Sequence, residues 1–133
     1  MRYQEFVRRV QEHGGIKTRE EAERVVDAVF ETLSERLSRT ETRNLAAQLP
    51  DELKEKLFRR LYTDRFVLRD FYNRVSARAG VGYPHAIKLA RVVLITVREA
   101  ISPGEWEDVV SEFPSEYEDL FEKKPDDPVS MVA

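Results

Sequence analysis

Two 36-residue stretches of the chain resemble each other: residues 22–57 read AERVVDAVFETLSERLSRTETRNLAAQLPDELKEKL, and residues 86–121 read AIKLARVVLITVREAISPGEWEDVVSEFPSEYEDLF. When the two stretches are aligned without a gap, from Ala22 on Ala86 to Leu57 on Phe121, eight of their 36 positions are identical. The identical pairs are Ala22/Ala86, Val29/Val93, Thr32/Thr96, Glu35/Glu99, Ser38/Ser102, Glu41/Glu105, Pro50/Pro114 and Glu52/Glu116. Because the apolar positions also repeat in phase, this self-similarity predicts two tandem copies of one structural unit.

The repeat decides the secondary structure of an ambiguous apolar run at residues 92–97 (VVLITV). Its β-branched residues are also compatible with a buried strand. The matching run, residues 28–33, lies in a pattern that places its apolar residues on one helical face: Ala22, Val25, Val26, Val29, Leu33 and Leu37. Since two copies of one unit share a fold, we predict a helix over residues 84–101. That helix is apolar nearly all round, so we expect it in the middle of the molecule.

The segments that precede the two copies also match. A first helix, Tyr3 to His13, is predicted by one apolar stripe that ends at Gly14-Gly15: Tyr3, Phe6, Val7 and Val10. The stripe returns before the second copy as Phe71, Tyr72 and Val75, which match Phe6, Val7 and Val10. Each unit is therefore expected to hold two longer helices and two short ones. The first short helix opens at a Ser-x-x-Glu capping box, Ser38/Glu41, and the second at Pro50.

We therefore predict an all-α fold of two tandem helical repeats, residues 3–62 and 68–122. A unit of that size is marginally stable alone, so the two are expected to share one core. They are related either by a pseudo-two-fold axis or by solenoid-like stacking. Residues 1–122 then form a single domain. Residues 123–133 hold two prolines and no apolar period, which predicts a disordered tail.

Charge is unevenly distributed along the chain. Residues 1–98 contain 20 Lys/Arg and 14 Asp/Glu, whereas residues 99–133 contain 2 and 11. Such opposed regions indicate internal pairing, head-to-tail association or separate partners. Cysteine is absent, which excludes disulfides and thiolate metal sites. The N-terminus lacks the apolar stretch of a signal peptide, and the run at 92–97 is too short to span a bilayer. We therefore expect a cytoplasmic protein that has no membrane partner.

The paired long helices, the Ser-x-x-Glu box and the leucine–proline turn at residues 45–53 (LAAQLPDEL) form a pattern that resembles one known family. It is the bacterial and archaeal family catalogued as domain of unknown function 2267, and the likeness covers about residues 1–122. The second copy departs from the leucine-rich turn, with Phe113-Pro114-Ser115-Glu116-Tyr117. The resemblance implies an all-helical fold. It implies no activity, since the shared positions are apolar, capping or turn residues.

Chemically specific motifs are absent from the sequence. The two histidines, His13 and His85, occupy non-equivalent places in the repeats and lack a partner at metal-ligand spacing. No serine lies in a nucleophile motif. The Gly-Val-Gly at residues 80–82 lacks the third glycine and the preceding strand of a dinucleotide site. We therefore predict no catalytic residue, no metal and no cofactor, and we expect the protein not to be an enzyme.

Two pairs of glutamates recur symmetrically, Glu35/Glu99 and Glu41/Glu105. Paired carboxylates are compatible with acid–base chemistry. However, Glu41 and Glu105 stand where a capping box needs glutamate, and the other pair lies near the ends of the long helices. We interpret all four as structural residues.

Arginines alternate with aromatic residues in the segment 56–78. Such a mixture binds phosphates and stacks on bases, which makes Arg59, Arg60, Arg65 and Arg69 candidate nucleic-acid-binding residues. The helical spacing of the aromatic residues favours a place in the core instead: Phe58, Tyr62, Phe66, Phe71 and Tyr72. The cations then form a solvated face or pair with the acidic residues of 99–133. The sequence pI near 5.5 also argues against nucleic acid.

Three hypotheses about function follow. The first is a non-enzymatic protein-interaction module that binds an unknown protein partner or itself. A partly exposed Trp106 is its candidate anchor, although a tryptophan more often packs inside. The second is nucleic-acid binding through the segment 56–78. The third is a pocket for a small apolar ligand between the repeats, marked by Tyr83, Val93 and Trp106. An exposed apolar patch would favour the protein partner, an unpaired basic face would favour nucleic acid, and a large apolar cavity would favour the ligand.

Overall fold

The computed structural model describes residues 1–59 and 63–129. Every regular element in these two ranges is helical and none is a strand, which confirms the all-α prediction. The elements are α1 (Tyr3–Gly14), α2 (Arg19–Arg36), α3 (Arg39–Ala46), α4 (Asp51–Leu57), α5 (Leu68–Ala79), α6 (Tyr83–Ala100), α7 (Pro103–Ser111), a 3-10 turn (Ser115–Tyr117) and α8 (Glu118–Phe121). The apolar run at 92–97 lies inside α6 and is helical, as the matching run predicted.

The ends of the helices follow from local sequence chemistry. α1 and α5 each end at a glycine in the left-handed region, Gly15 with φ 61° and Gly80 with φ 70°. A side chain there would be strained, so glycine is the natural residue at this cap. α2, α3 and α7 each begin at a hydroxyl that accepts a hydrogen bond from the backbone N–H three residues later: Thr18, Ser38 and Ser102.

The two longest helices, α2 and α6, contact each other in the middle of the molecule. α1 packs against both of them, and so does α5. α3 packs against α7, α4 against α2, and α8 against α6. Val29, Leu33 and Val93 have no exposed surface, and the apolar cluster to which they belong extends from Phe6 to Phe121. The prediction that the helix at 84–101 lies centrally is therefore confirmed.

The order of the elements is long, long, short, short in each half of the chain. α1 and α5 have 12 residues each, and α2 and α6 have 18 each. The last short element differs between the halves. Pro50 precedes the seven-residue α4, whereas Pro114 precedes the 3-10 turn, which leads into the four-residue α8.

The C-terminal segment has defined contacts as far as it is described. Lys123 Nζ donates to the carbonyl of Pro128 at 2.6 Å, and Lys124 N donates to Asp127 Oδ2 at 2.9 Å. Arg91 of α6 donates to the carbonyls of Lys124 and Asp127. Residues 130–133, the rest of the tail expected to be disordered, lie outside the described residues. The disorder of residues 123–133 stays a prediction.

No helix in the described part of the chain combines the length and the apolar character needed to cross a membrane.

Candidate functional site

Two buried glutamates meet where α3 packs against α7. Glu41 is the third residue of α3, Glu105 is the third residue of α7, and they are 8% and 6% exposed. Carboxylate oxygens of Glu41, Glu105 and the exposed Asp108 all lie within 4.8 Å of one another. The sequence marked the first two as a symmetric pair, but it gave no sign that they are in contact.

The carboxylates are free to meet because other side chains have taken their expected partners. In a capping box, the glutamate would accept the backbone N–H of the N-cap serine. Here the N–H of Ser38 donates to Glu112 Oε1 at 3.0 Å, and that of Ser102 donates to Gln48 Oε1 at 2.7 Å. Only half of each predicted box is formed, in which the serine hydroxyl accepts from the glutamate N–H at 3.2 Å. The capping role predicted for the glutamate side chains is therefore wrong.

The electrostatics of this pair are unfavourable when both groups are ionised. Glu41 Oε1 and Glu105 Oε2 are buried and have no hydrogen-bond partner. Burial raises the pKa of Glu105 to about 8, and hydrogen bonding and repulsion from Glu41, followed by repulsion from Asp108, act in the same direction. Two carboxylates this close need a proton or a cation between them. The site can therefore bind a positive species, which a purely structural cap cannot do.

A second buried polar cluster fixes the C-terminal segment to α6. Arg91 is fully buried, and its Nε and Nη2 donate to the carbonyl and the Oδ2 of Asp119, both at 3.0 Å. Tyr72 donates its hydroxyl to the same Oδ2 at 2.8 Å. Burial, followed by the Asp119 carboxylate, raises the pKa of Tyr72 above its ordinary value. The described contacts of this cluster join α5, α6, α8 and the C-terminal segment. The sequence gave no signal for it.

The other glutamate pair, Glu35 and Glu99, forms ion pairs between helices. Glu35 accepts from Arg78 and lies 3.3 Å from Arg74 Nη1. Burial would raise the pKa of Glu35, but these two arginines outweigh it and hold the pKa below its usual range. Glu99 lies 3.3 Å from Arg9 Nη1 and 3.0 Å from His13 Nε2. The structural interpretation of this pair fits these contacts.

The segment 56–78 divides into paired and exposed residues. Lys56, Arg74 and Arg78 form ion pairs with Asp27, Asp64, Glu31 and Glu35, rather than with the acidic residues of 99–133. Arg59, Arg65 and Arg69 are exposed, and within residues 1–59 and 63–129 they form no ion pair. Arg60 and Tyr62 lie outside the described residues.

The aromatic residues of this segment are mostly in the core. Phe66, Phe71 and Tyr72 are buried, as their spacing predicted. Phe58 is not, since 51% of its surface is exposed, and Val67 nearby in the chain is 52% exposed. The segment that joins the two halves therefore presents apolar and cationic side chains together.

Trp106 is buried rather than partly exposed. Only 6% of its surface is accessible, its ring packs edge-on against Phe121, and the guanidinium of Arg98 lies 5.5 Å from the ring centroid. The ring therefore packs inside, so it cannot be the exposed anchor that the sequence suggested. Val93 is also fully buried, and Tyr83 packs against Tyr72. Two open clefts lie elsewhere, one beside the start of α1 and one between α6 and residues 125–129. Neither is lined by the three residues proposed to mark an apolar pocket.

The fold and this site define an all-helical domain with a carboxylate pair buried between two short helices. The family model for an uncharacterised conserved protein, DUF2267, matches residues 3–120, so the chain belongs to that family. This confirms the resemblance drawn from the paired long helices, the Ser-x-x-Glu box and the leucine–proline turn. A comparison with curated proteins found no match.

Proposed function

We propose that the two halves are copies of one unit related by a pseudo-two-fold axis. Support comes from contacts that are reciprocal when the halves are aligned. Gln48 accepts from Ser102 N, and Glu112, which aligns with Gln48, accepts from Ser38 N. Solenoid stacking would instead make contacts in one direction, from each repeat to the next.

The ion pairs at the ends of the long helices follow the same rule. α1 supplies Arg9 and His13 to Glu99 of the other half, and α5 supplies Arg74 and Arg78 to Glu35. Superposing residues 3–59 on 68–122 in an experimental structure tests the proposal. A translation-dominated operator would contradict it.

We propose that the protein is a non-enzymatic interaction module that binds a second copy of itself. The observation that carries this is the joining segment, defined here as residues 58–59 and 63–69, which exposes Phe58 and Val67 beside three arginines without ion pairs in the described chain. Apolar surface next to uncompensated charge is typical of a binding surface.

The choice of a second copy rests on charge complementarity. The joining segment borders the acidic turn, residues 112–118, because Tyr117 donates to the carbonyl of Phe66 at 2.7 Å and Leu68 N lies 3.4 Å from Glu116 Oε2. Glu112, Glu116 and Glu118 are exposed there. A surface with neighbouring basic and acidic regions matches itself after a two-fold rotation, which gives a closed dimer.

A charge swap tests this dimer. Sedimentation of the wild type should show a concentration-dependent species of twice the chain mass of 15.6 kDa. The dimer should weaken at high salt, where the screening length falls from about 10 Å to about 3 Å. Arg65→Glu/Arg69→Glu and Glu116→Arg/Glu118→Arg should each be monomeric. An equimolar mixture of the two should dimerise, because each reversed surface then meets its complement.

The matched control reverses two exposed arginines elsewhere, Arg24→Glu/Arg43→Glu, which changes the net charge equally and should leave the dimer intact. Circular dichroism verifies that all variants are folded. A wild type that stays monomeric at high concentration and low salt would refute self-association, as would a mixture that fails to restore it.

The second candidate function is nucleic-acid binding, which the exposed Arg59, Arg65 and Arg69 favour. Against it stands the net charge of −3. Fluorescence anisotropy with labelled DNA at two salt concentrations decides. Under our proposal the dissociation constant is no tighter than about 10⁻⁴–10⁻⁶ M at physiological salt. Tight, salt-sensitive binding that is lost when the three arginines become alanine would place nucleic acid first.

We further propose a cytoplasmic location. The absence of cysteine from the chain supports it. Fractionation of the native cell, followed by immunodetection, tests it directly.

A further inference from the structure

We propose that Glu41, Glu105 and Asp108 bind one hard divalent cation of the Mg²⁺, Mn²⁺ and Ca²⁺ class. The three residues belong to neither the joining segment nor the acidic turn, and neither proposal depends on the other. Two observations carry it. The three carboxylates converge within 4.8 Å, and two of them each bury an oxygen that has no hydrogen-bond partner.

The charge balance around the cluster favours a divalent cation. Within the described residues, no lysine, arginine or histidine forms an ion pair with any of the three carboxylates. The positive ends of α3 and α7 supply roughly half an elementary charge each. Three ionised carboxylates therefore retain an excess of about two negative charges, which one divalent cation neutralises.

The ligand chemistry selects the class of cation. All three side chains offer oxygen, which suits Mg²⁺, Mn²⁺ and Ca²⁺ rather than softer metals. Oxygens on opposite sides of a Ca²⁺ ion, each about 2.3–2.6 Å from it, lie about 4.6–5.2 Å apart, and adjacent ligands lie closer. Three oxygens within 4.8 Å of one another therefore fit around one ion. Asp108 is exposed, so water can reach the open side and complete the coordination.

This proposal replaces the prediction of no metal site. That prediction rested on the absence of cysteine and of histidine pairs, which bear on zinc and iron. Carboxylates, the only ligands then left, hold those transition metals poorly, but their oxygens suit the harder divalent cations. The alternative is a proton shared by Glu41 and Glu105. That proton would not involve Asp108, and the site would then not bind added metal.

A Mn²⁺ titration of EDTA-treated protein, followed by the electron paramagnetic resonance signal of free Mn²⁺, tests the site. The wild type should bind one Mn²⁺ per chain. Glu41→Gln and Glu105→Gln keep the side-chain shape and should each weaken binding about 10-fold or more. Glu107→Gln, an exposed glutamate on the same helix, removes an equal charge and should change the affinity less than about 2-fold.

Melting temperatures with added Mg²⁺ or Ca²⁺ provide a second readout, which uses the wild type alone and is independent of the variants' folding. The wild type should melt at a higher temperature with at least one of the two ions, at constant ionic strength. Absence of saturable Mn²⁺ binding up to millimolar concentration would overturn the proposal and leave the proton as the occupant. Binding retained by Glu105→Gln and lost by Glu107→Gln would also overturn it, since the ion would then lie on the acidic surface.

Discussion

Replacing Arg91 with methionine removes the most deeply buried cation of the described chain, and its consequences can be calculated from its contacts. The guanidinium makes four hydrogen bonds, two to Asp119 and one each to the carbonyls of Lys124 and Asp127. Breaking a buried ion pair by removing one partner typically costs about 3–5 kcal/mol. Tyr72 still binds the Asp119 carboxylate after the change. We therefore expect a loss of about 3 kcal/mol in the free energy of unfolding, at the lower end of that range.

A double-mutant cycle in urea isolates the pair itself. Asp119→Leu should cost about 4 kcal/mol, because it leaves the guanidinium of Arg91 buried without its counter-charge and Tyr72 without its acceptor. The double variant should lose less than the sum, with a coupling of about 2–3 kcal/mol. Lys88→Met is the matched control, one turn away on α6. Its pair with Asp126 is 3.6 Å long and that aspartate is 86% exposed.

The control should change the stability by less than about 0.5 kcal/mol, as exposed ion pairs do. Additive single effects, or an Arg91→Met variant that loses less than about 1 kcal/mol, would refute the claim that this buried pair fixes the C-terminal segment.

Three further predictions concern the core, the helix ends and the carboxylate pair. Leu49→Ala and Phe113→Ala should each lose about 2–4 kcal/mol in urea denaturation, since both side chains are buried before the repeated prolines; unchanged midpoints would place them at the surface. Gly80→Ala should lose about 1 kcal/mol because of its positive φ, whereas Gly104→Ala, inside α7 with open space around it, should be neutral or stabilising, so equal effects of the two changes would contradict the left-handed cap. In EDTA, the ordinary pKa of 4.5 means that Glu105 of the unfolded chain loses its proton above that pH, whereas the folded chain keeps the proton up to the raised pKa of about 8. The free energy of unfolding therefore falls as the pH rises through that window. Glu105→Gln should therefore gain about 2 kcal/mol relative to wild type between pH 5 and pH 9, less than the full shift implies because water reaches Asp108 at one side; identical pH profiles would show that the carboxyl is ionised throughout.

Local patterns in the sequence were sufficient to predict most of the helices, although not α6. The apolar stripe of α1, the glycine at its end and the serine caps each act over one or two turns, so the residues that cause them are close in the chain. The run at 92–97 was ambiguous by itself. Its helical state was predictable only because the matching run at 28–33 has a clear helical period. The sequence could not predict that Phe66 is buried and Phe58 exposed, because both residues fit the same helical spacing.

The carboxylate site could not be predicted because its cause is not local. The Ser-x-x-Glu pattern at Ser38 and Glu41 predicts a capping box, and nothing within the same helix contradicts it. The box fails because Glu112, far along the chain in the other half, takes the serine N–H. The sequence repeat did contain one indication that Glu41 and Glu105 meet. If two copies are related by a two-fold axis, residues near that axis meet their own equivalents, and identical polar pairs such as Glu41/Glu105 are the first to test.

A charged crosslink joins the long helix to the last short element in each half, with opposite polarity. In the first half Asp27 of α2 pairs with Lys56 of α4, and in the second Arg91 of α6, which aligns with Asp27, pairs with Asp119 of α8. In the alignment of the two halves, Asp27 stands opposite Arg91, and the alignment alone does not show that both residues form an ion pair. The two ion pairs also differ in burial. Asp27 is 42% exposed at its side chain, whereas Arg91 and Asp119 are 0% and 1% exposed. An arginine that donates in several directions can satisfy the backbone carbonyls of a short, irregular C-terminal segment. The ammonium of Lys56, whose side chain is 12% exposed, pairs with the single carboxylate of Asp27. The seven-residue α4 forms hydrogen bonds within its own helix, whereas the four-residue α8 relies on those that Arg91 donates. Replacing Arg91 should therefore lower the free energy of unfolding much more than replacing Lys56.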